Sequence, residues 1–175
     1  FKSKAKINKT KLNKVCLQKS NRLTGNVTMP GDKSISQRSL IIGLISLGKT
    51  VIKDILDSQD VYHTLKAVES LGAKIKINRD HVEIRGVGIG NLISPKQPIY
   101  MGNSGTGTRL LLGLVAGSNA LVTFYGDESL SNRPMDRVIE PLEQMGASVV
   151  YSKSKKLPIT VTGARARGIT MPINY

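Results

Sequence analysis

A chain of 175 residues with 39% hydrophobic and 22% charged residues is long enough to bury one domain's core, and its composition is that of a water-soluble globular protein. No apolar run approaches the roughly 18 residues a membrane helix needs, and no charged n-region, apolar h-region and small-residue cleavage site stand in order at the start, which points to a cytoplasmic chain without a membrane partner. The formal charge of +14 is unevenly spread: residues 1–22 hold seven Lys and one Arg with no acid, eight of the fourteen charges, and the rest of the chain carries six. The arm lacks interleaved aromatics and reads as a solvated tail rather than a nucleic-acid grip, while the milder excess beyond it favours an anionic partner. The single Cys16 has no second thiol for a disulfide or a metal site, and His63 and His81 lack ligand spacing. No metal is expected.

In chain order, Val27 to Pro30 reads as a short strand and Ile35 to Leu47 as a buried helix. Thr50 to Leu56 is β-branched and predicts a strand. Asp60 stands where a helix cap belongs, ahead of apolar Val61, Leu65, Val68 and Leu71 at helical spacing, and Gly72 is placed to stop that helix before strands at Ala73 to Ile77 and His81 to Arg85. The stretch Gly86 to Gly90 alternates glycine after a strand but leads to no helix, so it predicts a loop and not a dinucleotide fingerprint.

The order then recurs. Ser39 to Leu44 answers to Leu110 to Leu114, Val61 to Ala73 answers to Met135 to Ala147, and Val82 to Gly86 answers to Ile159 to Gly163. Gly168 to Pro172 echoes Gly25 to Pro30, so a third unit opens before Tyr175. The fold class is α/β, built from repeated strand-helix-strand-helix-strand-strand units, and units of this kind bury their apolar faces against their neighbours.

Gly43 to Thr50, GLISLGKT, satisfies the phosphate-loop pattern letter for letter. A true phosphate loop follows a strand and opens a helix. Here the segment closes a helix, with Gly48 placed to cap it, and runs into a strand, so no nucleotide site is expected there. The anion sites belong at the other end of that helix. Each unit opens on a Pro- or Gly-rich turn that builds a helix N-terminus, Met29 to Ser34 in the first and Met101 to Thr108 in the second, where free N–H groups and the helix dipole attract anions. Lys33 stands at the first turn, Ser34 and Arg38 share a helical face four residues apart, Arg109 follows Thr106 in the second turn, and Arg133 precedes Pro134.

The segments Leu23 to Arg38, LTGNVTMPGDKSISQR, Gly102 to Leu110, GNSGTGTRL, and Ser131 to Pro134, SNRP, closely resemble the 5-enolpyruvylshikimate-3-phosphate synthase family. That resemblance implies an inside-out barrel of two domains, each of three βαβαββ units around parallel helices, with two of the first domain's three units present. Residues 23–90 and 91–164 would be those units and 165–175 the start of the third, within an incomplete first domain over 21–175. The basic residues 1–20 would be an orphan strand of the second domain. The reaction implied moves the enolpyruvyl group of phosphoenolpyruvate to the 5-hydroxyl of shikimate 3-phosphate through a tetrahedral adduct, with loss of phosphate and without metal or organic cofactor. By the same resemblance Lys33 contacts both substrates as the catalytic cation, Ser34 and Arg38 hold shikimate 3-phosphate, and Asn103, Gly105, Thr106 and Arg133 line the phosphoenolpyruvate pocket. Arg109 matches the motif without a settled role. Family members of full length are expected to be monomers. Gln37 departs from the usual His or Asn of the motif, and the third unit's Ser-Ala-Gln and the acidic proton-transfer residues have no counterpart, so the chain by itself is expected not to turn over. Two other readings stand beside this one: the related enolpyruvyl transferase acting on UDP-N-acetylglucosamine, against which Ser34 after Lys33 and the position of Cys16 speak, and a basic nucleic-acid-binding module.

Overall fold

The computed structural model of the chain describes residues 24–152, 154–164 and 167–172, so the basic arm, Cys16 and the expectation of an orphan strand over 1–20 lie outside the described residues. Asp32 takes an extended backbone and its carboxylate accepts from the amide of Ile35 at 2.8 Å, which starts helix α1 (Lys33–Ile45) two residues before the apolar run begins. The cap at the far end is Ser46 and not Gly48: the Ser46 amide and hydroxyl both reach the carbonyl of Ile42, whereas Gly48 turns the chain at φ 85° into β1 (Lys49–Lys53). GLISLGKT therefore runs helix, turn, strand, the reverse of a phosphate loop. Strand β1 ends before the predicted Leu56 because Asp54 enters the left-handed region at φ 51° and the Leu56 amide turns to the Ser36 hydroxyl, 3.0 Å away.

Ser58, not Asp60, caps α2 (Gln59–Ser70), its hydroxyl accepting from the Val61 amide, and Asp60 falls inside the first turn with its carboxylate free for another task. Gly72, at φ 113°, closes the helix and leads into β2 (Lys74–Ile77) and β3 (His81–Arg85). The predicted strand at Val27 to Pro30 does not form among the described residues: Val27 and Met29 are 80% and 77% exposed, and no described strand lies beside them to complete a ladder.

The second unit contains β4 (Ile99–Tyr100), α3 (Gly105–Ala116), β5 (Leu121–Tyr125), α4 (Glu128–Ser131), α5 (Asp136–Gln144), β6 (Ser148–Ser152) and β7 (Lys156–Thr162). The one-turn helix α4 has no counterpart in the first unit and no signal in the periodicity. It exists because Asp127 caps it, Oδ1 accepting from the Leu130 amide at 2.7 Å.

The internal repeat is visible in three dimensions. The first sheet is ordered β1-β3-β2 and the second β4-β5-β7-β6, so the antiparallel run β5-β7-β6 repeats β1-β3-β2 strand for strand. Each unit ends on a glycine packed against the carbonyls that finish its first helix: Gly86 on Gly43, Leu44 and Ser46, and Gly163 on Val115 and Ser118. A Cβ at either would collide with backbone. The following amides complete the match, Val87 to the Leu44 carbonyl at 2.8 Å and Ala164 to that of Ala116 at 3.2 Å. Val82 and Ile84 alternate inward from β3, as Val122 and Phe124 do from β5, and they join Leu40, Leu65 and Leu111 from the helices in one apolar cluster. Burying each of these side chains contributes about 1.5–3 kcal/mol, and the cluster spans both units.

Candidate functional site

Gln37 places the site. It lies on α1 with no exposed surface, and its Nε2 meets three groups: the Ser104 hydroxyl at 2.6 Å, the Thr64 hydroxyl at 3.0 Å and the Asp60 carbonyl at 3.3 Å. Ser104 is the N-cap of α3, and Asp60 is in the first turn of α2. One buried amide therefore ties the N-terminal ends of α1, α2 and α3 together, and three positive dipole ends gather on one side of the molecule.

On the α1 end, Lys33 sends its ammonium to Oδ2 of Asp60 at 3.0 Å, and Arg38 folds back so that Nη1 donates to the Ser34 carbonyl at 3.2 Å. Lys33 and Arg38 are exposed and Ser34 half-buried, so the face predicted to hold an anion is open. The α1 amides are less available than the sequence suggests, because the Asp32 carboxylate already occupies that end. What α1 offers a ligand is side chains.

The α3 end is the opposite case. Ser104 makes no side-chain cap there, and the turn is followed by two arginines. A Cβ built on Gly105 would stand 2.9 Å from Nη1 of Arg133 and 3.0 Å from Nη1 of Arg109, so the absence of a side chain at 105 is what lets both guanidinium groups close over the helix end. Arg133 donates through Nη2 to Oδ1 of Asn103, Asn103 donates through Nδ2 to Oδ2 of Asp127 at 3.1 Å, and Arg109 donates to the Pro134 carbonyl at 3.1 Å. The predicted residues Asn103, Gly105, Arg109 and Arg133 thus form one cluster. Thr106 is exposed and its hydroxyl enters no hydrogen bond among the described residues.

Two groups that sequence reasoning passed over complete the arrangement. Asp60, read as a cap, is the partner of Lys33, and Asp127 orients Asn103 while capping α4. A carboxylate one residue inside a helix already capped by serine is the only signal that could have marked Asp60. The chemistry offered is anion binding: guanidinium and ammonium groups beside unfilled helix amides, each charge-assisted hydrogen bond contributing about 1.5–3 kcal/mol. Among the described residues no group of three His, Cys, Asp or Glu could hold a metal ion, and no helix is long and apolar enough to cross a membrane. A cleft of about 320 Å³ lined by Asp54, Asp57, Asn78, Arg79 and His81 contains none of the site residues, and its mixed charges do not converge on one anion. Charge geometry, not concavity, locates the site.

The family described as EPSP synthase (3-phosphoshikimate 1-carboxyvinyltransferase) matches residues 17–174. The chain is 47% identical over 160 residues to a 3-phosphoshikimate 1-carboxyvinyltransferase of Rhodopseudomonas palustris strain BisB5, covering 90% of this chain and 35% of that protein. It is 54% identical over 143 residues to the protein of that name from Streptococcus uberis, covering 81% of this chain and 34% of that one. The solved EPSP synthase of Acinetobacter baumannii superposes with a TM-score of 0.79 at 39% identity over 84% of this chain and 34% of its own. The chain spans about a third of the length of the relatives it matches. With the family match running through both repeats and across every motif of the cluster, the chain belongs to the EPSP synthase family.

Proposed function

We propose that this chain carries the anion-binding half of an enolpyruvyl transfer site. Shikimate 3-phosphate is held on the α1 face by Lys33, Ser34 and Arg38. Phosphoenolpyruvate is held over the α3 end by Asn103, Gly105, Thr106 and Arg133, with Arg109 supporting the same cluster, and Lys33 reaches both substrates. The reaction served is transfer of the enolpyruvyl group to the 5-hydroxyl of shikimate 3-phosphate with release of phosphate. The observation that carries this reading is the seating of two guanidinium groups over Gly105, at the uncapped end of a helix that Gln37 ties to the Lys33 end of α1.

The described carboxylates at the site are already engaged: Asp32 with the Ile35 amide, Asp60 with Lys33, and Asp127 with Leu130 and Asn103. In this reading the chain alone binds without turning over, and the acid–base groups belong to the part of the relatives' length that this chain does not span. In the same reading residues 23–90 and 91–164 are two βαβαββ units of one domain, 165–175 open a third, and the whole protein is a cytoplasmic monomer.

Calorimetric titration tests this. Shikimate 3-phosphate is expected to bind the chain, and Lys33→Ala and Arg38→Ala are each expected to weaken it about tenfold or more. Unchanged affinity in folded variants overturns the assignment. Phosphate release from phosphoenolpyruvate by the chain alone overturns the claim that it lacks the acid–base half.

A further inference from the structure

A serine at a helix N-cap ordinarily lends its hydroxyl to an amide two or three residues further on. Ser58 does so for α2, and the carboxylates of Asp32 and Asp127 do so for α1 and α4. Ser104 has the right side chain at the right position of α3 and does not cap it. Its hydroxyl is taken instead by Nε2 of Gln37, at 2.6 Å. The amides of Thr106 and Gly107 have no acceptor among the described residues.

The orientation of the Gln37 amide follows from its surroundings. The Asp60 carbonyl can only accept, and the Thr64 hydroxyl spends its proton on that same carbonyl at 2.9 Å. The group facing both must donate, so it is the nitrogen. Oε1 then has no partner although the residue is fully buried. An orphaned buried acceptor is a cost to folding, and here it accompanies an arrangement that also forgoes a helix cap. Both sacrifices concern the same helix end, the one crowned by Arg109 and Arg133 over Gly105.

We propose that Gln37 is a positioning residue that keeps α3 uncapped: by drawing the Ser104 hydroxyl into the buried network it reserves the Thr106 and Gly107 amides for an anionic oxygen of phosphoenolpyruvate. The inference rests on the placement of phosphoenolpyruvate at α3 and deepens it. Replacing Gln37 with methionine keeps the volume and removes the donor. The Ser104 hydroxyl, which already lies where a side chain on Gly107 would stand, is then released to turn onto the amides of its own helix. An incoming anion must displace that cap.

Amide exchange and chemical shift in the isotopically labelled 175-residue chain test this, with inorganic phosphate and phosphoenolpyruvate as probes. In the unsubstituted chain the Thr106 and Gly107 amides exchange rapidly and shift on titration with either probe. In Gln37→Met the one of them that the released hydroxyl caps becomes protected and affinity for both probes falls about fivefold, the effect expected for one capping bond. In Gln37→Met with Ser104→Ala the competing hydroxyl is gone, and affinity returns to within about twofold of the unsubstituted chain. A purely structural glutamine would not be rescued by deleting a second polar group. Unchanged exchange in Gln37→Met, or no rescue in the double variant, overturns the proposal. Should Gln37→Met fail to fold, Ser104→Ala alone decides: unaltered exchange at both amides supports the proposal, and faster exchange, showing that the hydroxyl was a cap, overturns it. If neither probe shifts these amides in the unsubstituted chain, the substrate reading fails while the exchange rates still decide the role of Gln37.

Discussion

The ammonium of Lys33 lies 3.0 Å from a carboxylate oxygen of Asp60, joining the first residue of α1 to the first turn of α2 across 27 positions of sequence. The Lys33 side chain is 51% exposed and that of Asp60 23%, so water screens the pair and its contribution to stability is small, about 0–1 kcal/mol. In the proposed function it fixes a cation where the anion arrives. Lys33→Met is therefore expected to change the midpoint of thermal unfolding by no more than about 4 °C, while weakening shikimate 3-phosphate about tenfold or more. Asp60→Asn, which keeps the cation and loosens it, should weaken binding less than Lys33→Met does. Equal losses in the two variants would show that Asp60 itself touches the substrate.

Gly105 separates the two proposed ligands experimentally. An alanine methyl there would meet Nη1 of Arg133 at 2.9 Å and Nη1 of Arg109 at 3.0 Å, and both are ends of flexible side chains that yield rather than unfold the helix. Gly105→Ala is expected to leave thermal stability nearly unchanged and to lower phosphoenolpyruvate affinity about tenfold, since each displaced charge-assisted bond is of that size. Shikimate 3-phosphate, proposed to sit on α1, should be unaffected. A comparable loss for both ligands would place them on one shared subsite.

The repeat was legible because it is written in residues that the fold cannot exchange: Gly86 and Gly163 both finish a strand against helix carbonyls, and only glycine fits either place. The helices were legible from their apolar spacing, Leu40 and Leu44 or Leu111 and Val115, all of which are buried. Caps were less so. Ser58 and Asp60 are both competent, and the choice fell to Ser58 because it stands three residues before the apolar Val61. Val27 to Pro30 has the composition of a strand, but a strand exists only with a partner's backbone, which local sequence does not encode. The site was legible as charges on two turns. Their convergence was not, because the link is a neutral amide whose partners lie 27 and 67 residues away.

Two glycines of α3 should respond oppositely to alanine. At Gly107 a Cβ would stand 2.6 Å from both the Ser104 and Thr64 hydroxyl oxygens and 3.1 Å from Nε2 of Gln37, inside a buried network that would have to shift to admit it. Gly107→Ala is expected to cost about 1–3 kcal/mol. At Gly113 nothing lies within 4 Å, so Gly113→Ala gains helix propensity without a clash and should stabilise by about 0.5–1 kcal/mol. Thermal or urea unfolding of both variants checks this, and destabilisation of equal size at the two positions would refute the packing argument at Gly107.

His81 gives the chain a pH-dependent element remote from the site. Its Nδ1 lies 2.7 Å from Asp80 and its Nε2 3.1 Å from Glu83, and these two hydrogen bonds, Glu83 first, raise its pKa above the usual value while lowering those of both carboxylates. Lys49 and Lys76 beside Glu83, and Lys53 near Asp80, act on the acids in the same direction. A group whose folded pKa is raised stabilises fully below its unfolded pKa, near 6.5, and loses that contribution as pH rises through the folded value. The carboxylates, lowered on folding, stabilise above about pH 4 and lose that contribution as pH falls through their folded values. The three-residue cluster is therefore fully charged between those limits. On raising pH from about 6 to 8, the unsubstituted chain is expected to lose more thermal stability than His81→Gln, and the two curves should meet at the alkaline end. Parallel curves would mean that the imidazolium pairs equally well in the unfolded chain, since linkage reports only the difference between the two states.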